Sequence, residues 1–183
     1  MSERWKPSVT VAAVIEHEGR FLLVEEHTPE GMRLNNPAGH LDRGESPQEG
    51  AVREALEETG RVFVPDRLVG VYLARFQRTP PSPPASLAQG GGGRPVDAAA
   101  RVEDVTYLRL AFGGRCGEAD PARVLDHGIV RTLWMTLAQL RASRERHRSA
   151  LVLRCVEDFA AGRRYPLDLV YADPTLYTPE IKP

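Results

Sequence analysis

The sequence predicts a single α/β domain, because apolar runs typical of strands alternate along the chain with segments that carry helix signals. Residues 8–15 and 21–25 are two such runs, separated by a polar stretch that contains Gly19. This arrangement predicts a β-hairpin at the start of the domain. A chain of 183 residues can bury one sizeable core but leaves little room for a second.

The rest of the chain continues the alternation. A loop rich in glycine, proline and asparagine precedes a helix over residues 46–60. Tyr107 and Arg109 are expected on the face of their strand opposite Leu108 and Leu110, because successive side chains point to opposite faces of a sheet. The further predicted elements are strands over residues 68–77, 105–112 and 129–134, and helices over residues 137–143 and 149–161.

Residues 79–100 differ in kind from the remainder. They are rich in proline, contain four consecutive glycines and show no hydrophobic periodicity. Such a composition cannot bury enough surface to offset the entropy of ordering. We interpret the segment as a flexible insertion between two strands within one domain that spans residues 1–183. An interdomain linker is the alternative, but too little chain lies on either side for two independent cores.

Composition argues against several classes of protein. The 24 basic and 25 acidic residues give a net charge of −1, which is no basis for a nucleic-acid-binding role. The N-terminal residues contain no long apolar run, so we expect neither a signal peptide nor a membrane anchor. Cys116 and Cys155 form no CxxC motif and no disulfide framework, which favours a cytoplasmic location. Whether the chain is a monomer or a homodimer is left open.

The helix over residues 46–60 has clear boundaries. Ser46 is a favourable N-cap, Pro47 suits the first helical position, and Glu49 completes a capping box. Gly60 follows the last turn as a stop.

Acidic residues occupy one side of this helix. At 100° per residue, Glu54, Glu57 and Glu58 fall within about 100° of one another. Like charges at this spacing destabilise a helix, and a bound divalent cation would remove the repulsion. Carboxylate oxygens suit magnesium or manganese better than zinc, although a solvated acidic surface is the alternative. The opposite side, expected to face the core, carries Val52, Ala55, Leu56 and Thr59.

Residues 39–60 read GHLDRGESPQEGAVREALEETG, and this stretch resembles the defining motif of the Nudix hydrolase family. The final position of the motif, usually apolar, is Arg61 here. The matching positions are Gly39, Glu45, Arg53, Glu54, Ala55, Glu57, Glu58 and Gly60.

The resemblance is most marked to the NudJ-type nucleoside phosphatases within that family. It extends to the segments KPSVTVAAVI, NNPAGHLD, YLRLAF and RRYPLDL. It implies an α/β/α sandwich around a mixed β-sheet. It also implies an acid anhydride hydrolase that acts on nucleoside tri- or diphosphates, or on related small diphosphates such as a thiamine-precursor pyrophosphate.

The resemblance further implies roles for individual residues. Glu54, Glu57, Glu58 and the Gly39 carbonyl would bind Mg²⁺, with Mn²⁺ as the alternative. Arg53 and Glu45 would orient these ligands, and Glu57 is our first choice of general base. Many relatives instead take a base from the loop before the fifth strand. In this loop the chain has Gly128 at the likeliest position of the base, and glycine cannot act as one. Asp126 and His127 are the neighbouring residues that could take over the role of base.

Outside the motif, Arg109 is our candidate for a phosphate contact and Tyr107 for stacking on a base. A structural ion pair explains Arg109 equally well, and core packing explains Phe76 better than stacking. Leu34 stands where the NudJ-type pattern has a tryptophan, so a stacking role is not expected there. For the basic turn formed by Arg163, Arg164 and Tyr165, two interpretations are open: it covers the substrate, or its side chains are exposed to solvent.

Two further functions remain open at this point. One is a pyrophosphatase for ADP-ribose or another nucleotide sugar, which would share the fold and the metal site. The other is a catalytically inactive domain that senses a nucleotide, which the intact set of glutamates argues against.

Overall fold

The computed structural model describes residues 4–78 and 103–178, which form a mixed sheet with helices on both faces. Three short 3₁₀ helices, Arg144–Arg146, Leu167–Leu169 and Pro174–Tyr177, complete the described elements. The helices are α1 Pro47–Thr59, α2 Leu137–Ala142 and α3 Ala150–Ala160. The strands are β1 Ser8–His17, β2 Arg20–Thr28, β3 Gly31–Asn35, β4 Ala38–His40, β5 Phe63–Arg78, β6 Glu103–Cys116 and β7 Ile129–Thr136.

The main path of the sheet runs β3-β2-β1-β6-β5, with β4 paired to β1 and β7 paired to β2. β1 and β6 are parallel, whereas β1–β2, β1–β4, β2–β3, β2–β7 and β5–β6 are antiparallel. The sheet is therefore mixed, as the sequence predicts.

The alternating side chains of β1 divide the core into two layers. Val11, Ala13 and Ile15 pack with Ala51 and Ala55 of α1. Ala12 and Val14 lie in the other layer, with buried residues of α2 and α3. Because both faces of the sheet are covered by helices, the predicted α/β/α sandwich is confirmed.

The predicted loop before α1 is wrong in one respect, since it contains β3 and β4. Gly31 has a φ of 99°, which lets the chain turn back so that β3 pairs with the end of β2. β4 is only three residues long and pairs with Thr10, Val11 and Ala12 of β1. Neither strand is long enough to show a clear alternation of apolar and polar residues.

β5 and β6 are longer than the sequence predicts. β5 begins at Phe63 and is interrupted by register shifts between Pro65 and Arg67 and between Leu68 and Gly70. Such bulges break the two-residue alternation, and the start of the strand is therefore hidden in the sequence.

The predicted insertion at 79–100 lies outside the described residues. Arg78 and Glu103, which flank it, are paired residues of the antiparallel strands β5 and β6. Among the helices of the described ranges, none combines the length and the apolar character needed to cross a membrane.

Candidate active site

The ends of α1 are those predicted from the sequence. The Ser46 hydroxyl accepts from the backbone N–H of Glu49 at 3.3 Å, and the Glu49 carboxylate accepts from the backbone N–H of Ser46 at 2.7 Å. At the other end Gly60 adopts a left-handed conformation with φ 66°, and its N–H donates to the Leu56 carbonyl. These caps fix where the helix begins and ends, and hence which residues face the sheet.

The buried side of α1 differs from the predicted one. Glu54 and Glu58 are each only 8% exposed, whereas Val52 and Leu56 are half-buried. Val52 packs against the core as predicted, but the burial of Glu54 and Glu58 on the other side of the helix was not predicted. The reason is β4, which packs beside α1 and covers the side that carries the two glutamates.

β4 meets these two carboxylates with its backbone. The N–H of Ala38 donates to Oε2 of Glu58 at 2.8 Å. A Cβ built on Gly39 would overlap with the carboxylate of Glu54. Glycine at position 39 thus lets the main chain approach Glu54 more closely than any other residue would allow.

Arg53 connects the remaining acidic residues of the motif. Its Nη1 donates to Glu54 at 2.7 Å and to Glu57 at 3.0 Å. Its Nε and Nη2 donate to the two oxygens of Glu45 at 2.9 and 2.7 Å, and Nη2 also donates to the His40 carbonyl at 3.0 Å. The backbone N–H of Asp42 holds Glu45 in turn at 2.7 Å. One guanidinium therefore links α1, β4 and the loop between them.

Burial and charge shift the ionisation of this cluster. Burial raises the pKa of Glu58 to about 8, and the charge of Glu54 adds to the shift although the Ala38 hydrogen bond opposes it. Burial also raises the pKa of Glu54, against the opposing effect of Arg53. The hydrogen bond to Arg53 lowers the pKa of Glu45. The carboxylates of Glu54 and Glu58 are thus buried where negative charge is unfavourable. They also lie toward the C-terminal end of α1, where the helix dipole disfavours negative charge.

Two carboxylates from other elements approach the same cluster. The charges of Glu26, on β2, and Asp126, in the loop before β7, both contribute to the raised pKa of Glu58. Asp126 is exposed, and its backbone N–H donates to the Glu57 carbonyl at 3.1 Å. His127 is exposed.

Glu26 could not be identified from the sequence as part of this cluster. Its Oε2 accepts from Arg148 at 3.2 Å, while its Oε1 is buried and has no hydrogen-bond partner. The preceding residue, Glu25, bonds instead to Arg131 and Arg146. The sequence alone does not indicate which of these two adjacent glutamates approaches α1, because that depends on the register of β2.

The donor set fits a divalent cation. Among the described residues, no three His, Cys, Asp or Glu side chains are already arranged around one metal position. Glu54 and Glu57 instead share Nη1 of Arg53. Yet the available atoms are carboxylate and carbonyl oxygens, two of the carboxylates are buried, and Glu26 has an unpaired buried oxygen. Hard cations such as Mg²⁺ prefer this kind of ligand.

The candidate substrate contacts, Arg109 and Tyr107, lie on β6, which is separated from β4 by β1. Thr10 of β1 is paired with His40 on one side and with Arg109 on the other. Arg109 is 9% exposed, and its Nε and Nη1 have no hydrogen-bond partner. Burial lowers the pKa of Arg109, while the charges of Glu58 and Glu26 oppose that shift.

Aromatic rings adjoin this position. The ring centre of Tyr107 lies 5.5 Å from that of Phe76 and 6.0 Å from that of His40. Leu34 is 0% exposed and forms part of the core, which excludes a stacking role for its side chain.

Comparison with known proteins gives a consistent result. A sequence profile described as NUDIX domain matches residues 4–154. Phosphatase NudJ of Escherichia coli (strain K12) is 32% identical over 169 residues, which cover 91% of this chain and 92% of that protein. The structure of a NUDIX hydrolase from Nitrosomonas europaea aligns with a TM-score of 0.72 and 44% identity, covering 92% of this chain and 98% of that one.

An ADP-ribose pyrophosphatase from Streptococcus suis aligns with a TM-score of 0.55 and 18% identity, over 87% of this chain and 96% of that one. At this level of identity the likeness concerns the fold alone.

Proposed function

We propose that this chain, which belongs to the NUDIX family and is a phosphohydrolase, cleaves the phosphoanhydride bond of nucleoside tri- or diphosphates or of related small diphosphates with the help of Mg²⁺. A thiamine-precursor pyrophosphate is one such small diphosphate. The observation that carries the proposal is the set of carboxylates on α1, two of them buried against the backbone of β4. The name Phosphatase NudJ, given to a relative of which the match covers 92%, supports the hydrolysis of a phosphate group.

The residues that would hold Mg²⁺ are Glu54, Glu57 and Glu58, with the carbonyl of Gly39. Glu54 touches Gly39, and Glu58 is fixed by the neighbouring Ala38. A bound Mg²⁺ would lower the pKa of the attacking water and neutralise charge on the phosphates. Mn²⁺ offers the same preference for oxygen ligands and is the alternative.

Glu57 is the residue to which we assign the general base. Its side chain is 33% exposed, against 10% for Glu54, so water reaches it more readily. Its side chain accepts a 3.0 Å hydrogen bond from Arg53. Glu58 suits this role less well, because its Oε2 is already bonded to the backbone. Asp126 is the alternative base, since it is exposed and close to the same cluster.

Arg53 and Glu45 would position the ligands. Arg53 donates to Glu54 and Glu57 together, and Glu45 fixes the opposite edge of the same guanidinium with two hydrogen bonds. A planar guanidinium held at both edges has little freedom to rotate. The orientation of two candidate metal ligands is thereby tied to one side chain.

For the substrate we assign a phosphate contact to Arg109 and a stacking contact to Tyr107. The unpaired Nε and Nη1 donors of Arg109 support the first assignment, since buried donors without a partner are rare. Tyr107, with Phe76 at its edge, supports the second. Both cysteines are free, which supports a reducing, cytoplasmic location.

One experiment tests this function. The pure protein is incubated with Mg²⁺ and a panel of nucleotides, nucleotide sugars and a thiamine-precursor pyrophosphate, and the products are separated by chromatography. We expect release of phosphate or pyrophosphate from one of the nucleoside or small diphosphates, loss of turnover in chelator, and recovery when Mg²⁺ is restored.

A Glu58→Gln protein purified in parallel is the control for contaminating phosphatases. Full activity in excess chelator would exclude the metal mechanism. Cleavage of ADP-ribose or another nucleotide sugar alone would move the enzyme to the pyrophosphatase class.

A further inference from the structure

A cavity of about 320 Å³ lies away from the acidic residues of α1, between β5 and the C-terminal end of α3. Its floor is apolar and its rim carries charged side chains. The lining residues that matter here are Leu68, Val69, Tyr72, Arg154, Asp158 and Arg163.

A buried carboxylate organises the charged side of this cavity. Asp158 is 6% exposed and accepts from the Tyr72 hydroxyl at 3.1 Å. It also accepts from Nε of Arg154 at 2.9 Å and forms an ion pair with Nε of Arg163 at 3.2 Å. Two guanidiniums thus stand against one carboxylate, which leaves a net charge of +1. In both arginines the contact to the Asp158 carboxylate is made by Nε, and the Nη groups are the outer donors of the fork.

The backbone holds this arrangement in place. The N–H of Arg163 donates to the Asp158 carbonyl at 3.0 Å, after a turn in which Gly162 adopts a φ of 80°. Tyr165, at the rim, exchanges two backbone hydrogen bonds of 2.9 Å with Leu68 of β5. The segment that follows α3 is therefore fixed to the edge of the sheet. This fixes the position of the Arg163 backbone relative to α3, which carries Arg154.

Gly70 gives Tyr72 the room to reach Asp158. A Cβ at position 70 would lie 2.7 Å from the Tyr72 hydroxyl oxygen. The floor beside it is formed by Leu68 and Val69, which are 1% and 0% exposed. The cavity thus combines an apolar floor with an excess of guanidinium donors.

The cavity is separate from the acidic residues of α1, although its Tyr72 is the cross-strand neighbour of Arg109 on β6. It is built on β5, whereas Gly39 lies on β4, and the strands β1 and β6 lie between them. Three steps between neighbouring strands amount to about 14 Å.

We propose that this cavity is a second binding site, for an oxyanion carried by a small molecule with an apolar or planar body. Guanidinium groups oriented by a carboxylate bind the paired oxygens of phosphate or carboxylate, and an apolar floor accepts a ring. This proposal goes beyond the hydrolytic function and does not depend on it.

The test is a titration of the ¹⁵N-labelled protein by NMR in excess chelator, so that no hydrolysis intervenes. The probes are phenyl phosphate, phenylacetate and inorganic phosphate. We expect saturable shifts of the Gly70 and Gly162 amides, with phenyl phosphate or phenylacetate binding more tightly than inorganic phosphate. The pair of aromatic probes decides whether the site takes a phosphate or a carboxylate.

Arg154→Gln/Arg163→Gln should bind the preferred probe at least about tenfold more weakly. Arg163→Gln alone leaves Asp158 one arginine partner and should also weaken binding, which keeps the test valid if the double variant fails to fold. Arg141→Gln is the matched control. Arg141 is as exposed as Arg154, and it pairs with Glu157, which lies on α3 as Arg154 does. Equal binding by the arginine variants and the wild type would overturn the proposal, as would the absence of saturable shifts at tens of millimolar probe.

Discussion

Glu58 and Ala38 are twenty residues apart in the sequence, yet the backbone N–H of Ala38 donates to the Glu58 carboxylate at 2.8 Å. The bond ties the C-terminal end of α1 to β4, next to Gly39. It also satisfies one oxygen of a carboxylate that is otherwise buried in an unfavourable environment.

Replacing Glu57 by glutamine should reduce turnover far more than it reduces stability. The change keeps the size of a half-buried side chain and removes its charge and basicity. Loss of a general base lowers a rate by about 10²–10⁴-fold. Steady-state kinetics and thermal unfolding of the same preparation separate the two effects.

Asp126→Asn is the comparison for that experiment. Near-normal turnover in Glu57→Gln, together with a large loss in Asp126→Asn, would assign the base to Asp126 instead.

Gly39→Ala should weaken Mg²⁺ binding by at least about tenfold, as changes beside metal ligands commonly do. The added Cβ would overlap with the Glu54 carboxylate and force that side chain to move. Calorimetric titration with Mg²⁺ measures the affinity directly. Gly117→Ala is the matched control, since a Cβ there meets nothing within 4 Å. Unchanged affinity in Gly39→Ala would show that Glu54 is not a ligand in the geometry described.

The metal-free protein should lose stability as the pH rises. The pKa of Glu58 is raised to about 8, whereas the ordinary value is 4.5. Below that ordinary value Glu58 is protonated in both the folded and the unfolded state. Between the two values only the unfolded state releases the proton, so the contribution of Glu58 to folding falls until the pH passes about 8. Burial raises the pKa of Glu54 as well, which adds to the effect in the same direction.

Thermal unfolding in chelator, followed from pH 5 to pH 9, measures this dependence. Glu58→Gln should show a flatter profile, because glutamine does not titrate. A profile of equal slope in the wild type and the variant would mean that Glu58 keeps its ordinary pKa.

Deleting residues 82–99 should leave folding and turnover nearly intact. The flanking residues Arg78 and Glu103 are paired, so a short connection is enough to join β5 and β6. Closure entropy changes slowly with loop length, and we expect a change of only about 1 kcal/mol in the free energy of unfolding, in the favourable direction. Kinetics and light scattering of the deletion variant provide the measurement. A large loss of kcat/KM, or dissociation of an oligomer, would instead make the segment a lid or a subunit contact.

The boundaries of α1 could be predicted from the sequence because local rules determine them. The capping residues, the helical period and the motif spacing all act within about twenty residues, and in the structure Glu54 and Glu57 lie close enough to share Nη1 of Arg53. The burial of Glu54 and Glu58 could not be predicted, because it depends on β4, a three-residue strand with no pattern of its own. Glu26 was missed for the same kind of reason, since its position follows from pairing between distant strands.

One guanidinium, that of Arg53, is shared by the carboxylates of Glu45, Glu54 and Glu57. Negative charge therefore exceeds positive charge at this end of α1. A bare polyphosphate is repelled by such a surface, whereas its magnesium complex carries less charge and brings its own cation. For the proposed reaction, the velocity follows the concentration of the complex rather than that of total nucleotide. If the proposed reaction holds, we expect an excess of uncomplexed nucleotide to inhibit by withdrawing magnesium.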